Sequence, residues 1–114
     1  MDPTYRRFNM AILGTQINSD LIEEFCMRWK VQEFSLFGSV LRSYFNDASD
    51  VDVMVSFRND AGWSLLDHVT MRDELIILFG RNVDLVTRKG VERSRNALRR
   101  TSILETAKVV YATA

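Results

Sequence analysis

Three aspartates stand where strand-forming sequence could bring their carboxylates together. Asp50 and Asp52 open an apolar run that ends at Phe57, and Asp84 lies inside a second apolar run, residues 83–86. Because side chains alternate along a strand, Asp50 and Asp52 would share one face, about 6.6 Å apart. The other face would be lined by Val51, Val53, Val55 and Phe57. Carboxylate oxygens suit Mg²⁺, which usually completes its shell with waters and substrate phosphates. The three acids therefore predict a site for two divalent cations.

A glycine–serine pair precedes these acids and could hold the anionic partner of such cations. The strand-like run of residues 34–37 stops at Gly38 and Ser39. A helix that begins there would present free backbone N–H groups and the positive end of its dipole to an anion, and the Ser39 hydroxyl would add a donor. Arg42 follows three residues later and could face the same phosphates, or could be solvated and pair with Asp47. Together the two halves predict a site for a metal-bound nucleotide phosphate.

The combined motif resembles the signature of a known superfamily. Gly38 and Ser39, ten intervening residues, then Asp50 and Asp52, with Asp84 on a later strand, are similar to the nucleotidyltransferases that include DNA polymerase β and the kanamycin nucleotidyltransferases. Size and layout resemble most closely the minimal MNT-domain antitoxins that act beside HEPN-domain toxins. The resemblance implies a nucleotidyltransferase fold of the α/β (α+β) class, in which helices flank a small mixed sheet.

The resemblance also implies an activity, namely transfer of AMP from ATP to a hydroxyl with release of pyrophosphate. Asp50, Asp52 and Asp84 would be the catalytic residues and would bind two Mg²⁺ ions, and Gly38, Ser39 and Arg42 would bind the nucleotide. The chain offers no room for an acceptor-binding domain, so the acceptor is expected from a partner. The resemblance implies a tyrosine of a HEPN-type ribonuclease toxin, in a hetero-oligomer where this chain is the antitoxin.

Two alternatives to this activity stay open. The chain could be a catalytically silent antitoxin that keeps the fold and blocks a toxin by contact. It could also be a small-molecule nucleotidyltransferase that acts as a homodimer on an antibiotic.

Two amphipathic helices are predicted to pack on the sheet and so to position the acidic strands. The first has apolar residues at helical spacing, and the second is bounded by Ser64 as its N-cap and by Gly80 at its end. Residues 98–108 predict a further helical face, and residues 109–111 predict a short edge strand. The expected buried residues are Leu21, Ile22, Phe25, Cys26 and Trp29 in the first helix and Leu65, Val69, Leu75, Ile76 and Phe79 in the second.

Length and composition limit the number of domains, the binding partners and the compartment that can be expected. With 114 residues, one domain over residues 1–114 is expected, and 15 basic residues balance 15 acidic ones, so no global field draws the chain to nucleic acid or membrane. The single cysteine allows no internal disulfide, and no apolar stretch approaches membrane-spanning length, so a cytoplasmic protein is expected.

The one local charge bias is a basic segment, residues 88–100. Its six cations could form a solvated helix face, dock a partner or contact the nucleotide or pyrophosphate, while the lack of interleaved aromatics argues against direct nucleic-acid binding.

Overall fold

Four helices and four strands make up the part of the chain that the structure describes. The computed structural model describes residues 19–38 and 50–113. The elements follow one another as α1 (Ser19–Arg28), β1 (Val31–Phe37), β2 (Val51–Phe57), α2 (Leu65–Phe79), β3 (Val83–Thr87), α3 (Arg88–Glu92), α4 (Ala97–Thr106) and β4 (Lys108–Ala112).

The strands form one mixed sheet in the order β3-β2-β1-β4. β1 pairs antiparallel with both β2 and β4, whereas β2 and β3 are parallel. A parallel pair needs a crossover connection, which here contains α2. This mixed sheet flanked by helices confirms the predicted α/β (α+β) class, including the edge strand expected at residues 109–111.

The boundaries of α2 follow from its flanking residues. The Ser64 hydroxyl accepts a hydrogen bond from the backbone N–H of Asp67, while the Asp67 carboxylate accepts one from the backbone N–H of Ser64. This reciprocal capping satisfies donors that a helix start leaves free. At the other end Gly80 takes a left-handed conformation, with φ of 71°, and closes the helix with a hydrogen bond to Ile76. Both predicted ends of the helix are confirmed.

The sheet is covered on both faces. On one face α1 and α2 bury the main core against Val51, Val53 and Val55, all of which are fully buried. On the other face α3 and α4 cover a smaller cluster built around Phe37, Met54, Val91 and Ile103. Because Asp52 and Met54 are two residues apart on β2, they share this second face. The carboxylate of Asp52 therefore points toward α4 and away from the main core.

Two predicted helix faces are partly wrong. In α1, Ile22, Phe25 and Cys26 are buried, but Leu21 is 48% exposed. In α2, Leu75 and Phe79 are buried together with Met71, while Leu65 is 79% and Val69 is 43% exposed. α2 carries apolar residues around most of its circumference, so spacing alone permits more than one buried stripe, and packing on the sheet selects the one at residues 71, 75 and 79. No helix in residues 19–38 and 50–113 combines the length and apolar character that crossing a membrane would take.

Candidate active site

Asp52 and Asp84 are brought together by the register of the two parallel strands. Asp52 of β2 and Asp84 of β3 are paired positions in the sheet. Neighbouring strands lie about 4.8 Å apart, and paired residues project their side chains to the same face. The chain thus places two carboxylates side by side on the face that α4 covers, although the two residues are far apart in sequence.

Gly38 lies against the carboxylate of Asp52. It follows β1 directly, where Phe37 pairs with Asp52, and it has a left-handed φ of 72°. A side chain at this position would begin with a Cβ that overlaps Oδ2 of Asp52 and stands 3.1 Å from its Cγ. Glycine is required here for two independent reasons, a backbone conformation that L-residues avoid and a close approach to a carboxylate.

An open cleft of about 340 Å³ lies in front of these residues. One wall comes from the end of β1 and the two acidic strands, and the other from one face of α4. Among the described residues that line the cleft, Arg99 of α4 is the one cation, with Nη2 at 3.8 Å from Oδ2 of Asp84. The lining residues are Phe37, Gly38, Asp52, Asp84, Arg99, Ser102, Ile103 and Thr106.

Arg99, Ser102 and Thr106 were not predicted as site residues. In the sequence Arg99 is one of six cations in the basic segment, and nothing local distinguishes it from its neighbours. The signal that could have found it is helical spacing, because residues 99, 102 and 106 fall on one face of α4. That face becomes a wall of the cleft only when α4 folds back over β2 and β3.

Three predicted site residues, Asp50, Ser39 and Arg42, are not among those that the structure brings together in the cleft. Asp50 precedes β2, is exposed and is not among the residues that line the cleft. Ser39 and Arg42 lie outside the described residues. Within residues 19–38 and 50–113 no three Asp, Glu, His or Cys side chains are grouped so that they could hold a metal ion. The three-aspartate site therefore stays a prediction, of which the structure brings Asp52 and Asp84 together.

The donor set of the cleft nevertheless suits a hard cation. Asp52 and Asp84 offer carboxylate oxygens, the ligand type that Mg²⁺ prefers, and a cation of this kind commonly uses one or two protein carboxylates. The absence of a side chain at Gly38 leaves the room that the carboxylate of Asp52 itself occupies. Ser102 and Thr106 add hydroxyl groups to the opposite wall. The residues present thus fit a site for Mg²⁺ and a phosphate-bearing ligand.

Two side chains of α2 hold the backbone on either side of Asp84. Arg72 donates from Nε to the carbonyl oxygen of Val83, at 3.2 Å, and Nε2 of His68 lies 3.0 Å from the carbonyl oxygen of Leu85. His68 is half-buried, as predicted, and it has a structural partner that the sequence did not reveal.

Cys26 is part of the core and not of the site. It is fully buried in α1. Burial raises the pKa of its thiol far above the ordinary value, and the carboxylate of Glu23 raises it further. Since the thiolate is the reactive form, this thiol is inert in the folded protein, in agreement with the prediction of a small buried hydrophobic residue.

Sequence comparison decides the family. A profile of the nucleotidyltransferase domain matches residues 19–110. The chain belongs to this family. Among its relatives, this chain is 35% identical to the protein adenylyltransferase MntA of Thermococcus cleftensis over 65 residues, which are 57% of this chain and 64% of that relative. The chain spans 59–64% of the length of the curated relatives that it matches.

Solved structures share the fold of this nucleotidyltransferase. A chain from a toxin–antitoxin crystal structure with AMP-PNP superposes with a TM-score of 0.64 at 20% identity, over 84% of this chain and 74% of that one. A chain from a complex of tri-AMPylated Shewanella oneidensis HEPN toxin with MNT antitoxin gives 0.57 at 23% identity, over 86% and 72%. At such identities the likeness shows the fold alone.

Proposed function

We propose that this nucleotidyltransferase is a Mg²⁺-dependent protein adenylyltransferase that transfers AMP from ATP to a tyrosine hydroxyl of a cognate HEPN ribonuclease toxin. In this role it is an antitoxin. The observation that carries the proposal is the pairing of Asp52 with Asp84 in the lining of a cleft, where Gly38 makes room for the carboxylate of Asp52. Names of relatives add support, since one is called a protein adenylyltransferase and one structural neighbour contains an AMPylated HEPN toxin with its MNT antitoxin.

Each residue has a defined part in this proposal. Asp50, Asp52 and Asp84 would hold two Mg²⁺ ions, which would neutralise charge on the triphosphate and lower the pKa of the acceptor hydroxyl. The backbone N–H groups at Gly38 and Ser39 and the Ser39 hydroxyl would bind the leaving phosphates, with Arg42 as a counter-charge.

The bond changes are those of a single displacement at phosphorus. The acceptor oxygen forms a bond to the α-phosphorus of ATP, and the bond from that phosphorus to the bridging oxygen of the β-phosphate breaks. The hydroxyl proton passes to the carboxylate of Asp84 and then to solvent. Pyrophosphate leaves with the electron pair of the broken phosphorus–oxygen bond. Because no covalent enzyme intermediate forms, positioning and electrostatics supply the catalysis.

The experiment that tests this function is a mass measurement on the partner. The candidate HEPN toxin is incubated with this protein, ATP and Mg²⁺, and its intact mass is followed for the addition of adenylyl groups. Asp84→Asn should reduce the rate of transfer by about 10²–10⁴-fold, the range expected for loss of a general base. Asp52→Asn should also reduce the rate, because it removes a carboxylate ligand of the metal ions. Asp73→Asn is the matched control, since Asp73 is an exposed acid on α2 outside the cleft.

Two outcomes would replace the proposal. If the double variant Asp50→Asn/Asp52→Asn still protects cells from the toxin, the protein acts by contact and is a silent binding antitoxin. If AMP is transferred to an aminoglycoside in the absence of any protein partner, it is a small-molecule nucleotidyltransferase.

A further inference from the structure

A second cavity lies at the opposite end of the parallel strands. It has a volume of about 310 Å³, within the range of small-molecule pockets. It is found where β2 and β3 end and where α2 and α3 begin, next to the paired residues Val55 and Thr87. Asp52 and Asp84 are paired three residues earlier, about 10 Å away along the strands, so this cavity is separate from the candidate active site. We refer to it as the distal pocket, defined by Val55, Arg58, Trp63, Met71, Thr87 and Lys89.

The charge of the distal pocket is one-sided. Arg58 and Lys89 line it, and no aspartate or glutamate does. The acids nearest in sequence are already engaged, since Asp60 pairs with Lys30 at 3.3 Å and Asp67 accepts hydrogen bonds from Ser64. No ion pair or side-chain hydrogen bond joins Arg58 or Lys89 to any other residue in the two described ranges. Two exposed cations that share a cavity without a counter-charge favour an anionic ligand.

The inner part of the distal pocket is apolar. Val55 and Met71 are almost completely buried and form its floor. Trp63 contributes its ring only, because its indole N–H already donates to the carbonyl oxygen of Trp29 at 2.7 Å. An aromatic ring and a thioether next to two cations suit a ligand with a planar apolar body and one charged end.

From these observations we propose that the distal pocket binds a small organic anion, whose charged group lies between Arg58 and Lys89 and whose planar body packs on Trp63 and Met71. The distal pocket lies where the parallel strands β2 and β3 end. The proposal does not depend on the adenylyltransferase activity, because the residues involved are not part of the cleft at Asp52 and Asp84.

A pair of probes separates charge from hydrophobicity. The anionic probe is 8-anilinonaphthalene-1-sulfonate, and the neutral probe is N-phenyl-1-naphthylamine, which has the same rings without the sulfonate. Binding is measured by fluorescence titration of the full chain without ATP or toxin. The pocket variant is Arg58→Gln/Lys89→Gln, and the control is Arg93→Gln/Arg95→Gln, which removes the same charge from exposed residues outside the pocket.

We expect one anionic probe per chain, with a Kd that rises by about tenfold or more in the pocket variant and stays unchanged in the control. The Kd of the neutral probe should be the same in all three proteins. In ¹⁵N spectra the anionic probe should shift the indole N–H of Trp63 and leave the backbone N–H of Asp84 in place. The proposal is overturned if wild type does not bind the anionic probe, or if both double variants raise the Kd of this probe equally. It is also overturned if the probe shifts the N–H signals of Asp84 and Arg99 instead of that of Trp63.

Discussion

Arg72 donates a hydrogen bond from Nε to the carbonyl oxygen of Val83, at a distance of 3.2 Å. In the sheet formed by residues 19–38 and 50–113, β3 is an edge strand, so one side of its backbone has no strand partner among these residues. His68 makes the matching contact two residues further on, at the carbonyl oxygen of Leu85, and since a carbonyl oxygen can only accept, Nε2 of His68 carries the proton. The two side chains thus fix the backbone on both sides of Asp84.

Loss of either contact should loosen Asp84. Arg72→Met and His68→Leu should each lower the free energy of unfolding by about 1 kcal/mol, the usual net value of such a hydrogen bond. They should also speed hydrogen exchange in β3 and lower kcat for AMP transfer with little change in the KM for ATP. Arg72→Lys and His68→Gln keep a donor and should restore part of the activity.

Arg93→Met is the charge-matched control for this pair, because Arg93 is exposed at the end of α3. If the apolar variants lose stability but keep wild-type kcat and wild-type exchange in β3, then the two contacts serve the fold and do not position Asp84.

Alanine substitutions at three glycines distinguish the stability cost of a strained backbone from the cost of steric overlap. Gly38 combines a left-handed φ with a close carboxylate, Gly80 has a left-handed φ of 71° and open space, and Gly62 has open space without the left-handed backbone. Alanine should cost about 1–2 kcal/mol of stability at Gly80 and almost nothing at Gly62. Gly38→Ala should cost at least as much as Gly80→Ala and should also displace the carboxylate of Asp52.

Only one of these three substitutions should lower activity in a protein that is still folded. Urea unfolding gives the stability of each variant, and the AMP-transfer assay gives its rate. We expect Gly80→Ala to remain active at a temperature where it is folded, and Gly38→Ala to lose most of its activity under the same conditions. Equal activity of the two variants would show that the approach of Gly38 to Asp52 has no catalytic importance.

Arg99 should matter for the reaction more than for stability. Its contact with Asp84 is long, and both side chains are about half exposed, so its loss should change the free energy of unfolding by less than about 1 kcal/mol. As the cation of the cleft, however, it can neutralise charge on bound phosphates. Arg99→Gln should therefore raise the KM for ATP severalfold, Arg99→Lys should be intermediate, and Arg95→Gln, an exposed neighbour outside the cleft, should match wild type. An unchanged KM in Arg99→Gln would exclude a role in nucleotide binding.

Cys26 should make the protein less stable at alkaline pH. The folded state keeps this thiol protonated because burial raises its pKa, whereas the unfolded chain loses the proton as the pH passes its ordinary value of 9.0. Above that pH the unfolded state binds fewer protons, so the free energy of unfolding falls as pH rises, by at most about 1.4 kcal/mol per pH unit. Below that pH the contribution is fully present.

The measurement is the slope of the free energy of unfolding against pH, obtained by urea unfolding from pH 8 to pH 10.5. This slope is compared between wild type and Cys26→Ala. Other titrating groups are common to both proteins, so the difference in slope isolates the thiol. Iodoacetamide at pH 8 should leave native Cys26 unmodified and alkylate it rapidly in urea. Equal slopes in the two proteins, or fast alkylation of the native protein, would contradict the burial of the thiol as the cause of the lower stability at alkaline pH.

Local patterns predicted the strands that carry the acids, because alternation alone sends Val51, Val53 and Val55 to one face and Asp52 to the other. They also predicted the ends of α2, where Ser64 and Gly80 act through their own backbone and side-chain chemistry. The positions of the acidic strands and the ends of α2 therefore followed from short-range information.

Long-range contacts could not be predicted in the same way. His68 bonds to Leu85, 17 residues away, and Arg99 reaches Asp84 only because α4 packs over the sheet. The buried stripe of α2 was misassigned because its apolar residues surround most of the helix. Asp50, Ser39 and Arg42 remain predictions from their spacing, and the distal pocket carries no motif, since Arg58 and Lys89 meet only through the pairing of β2 with β3.

The pairing of β2 with β3 also sets how sensitive the protein is to insertions. A strand alternates its two faces, so a slip of a single position turns every side chain of that strand over. One extra residue inserted between Val83 and Asp84 would turn the carboxylate of Asp84 toward the main core beneath α2. The inserted residue would then take the position opposite Asp52. A frame-preserving codon insertion at this point should thus abolish nucleotidyl transfer even in a chain that still folds, whereas the same insertion in the turn at residues 59–62 should be tolerated.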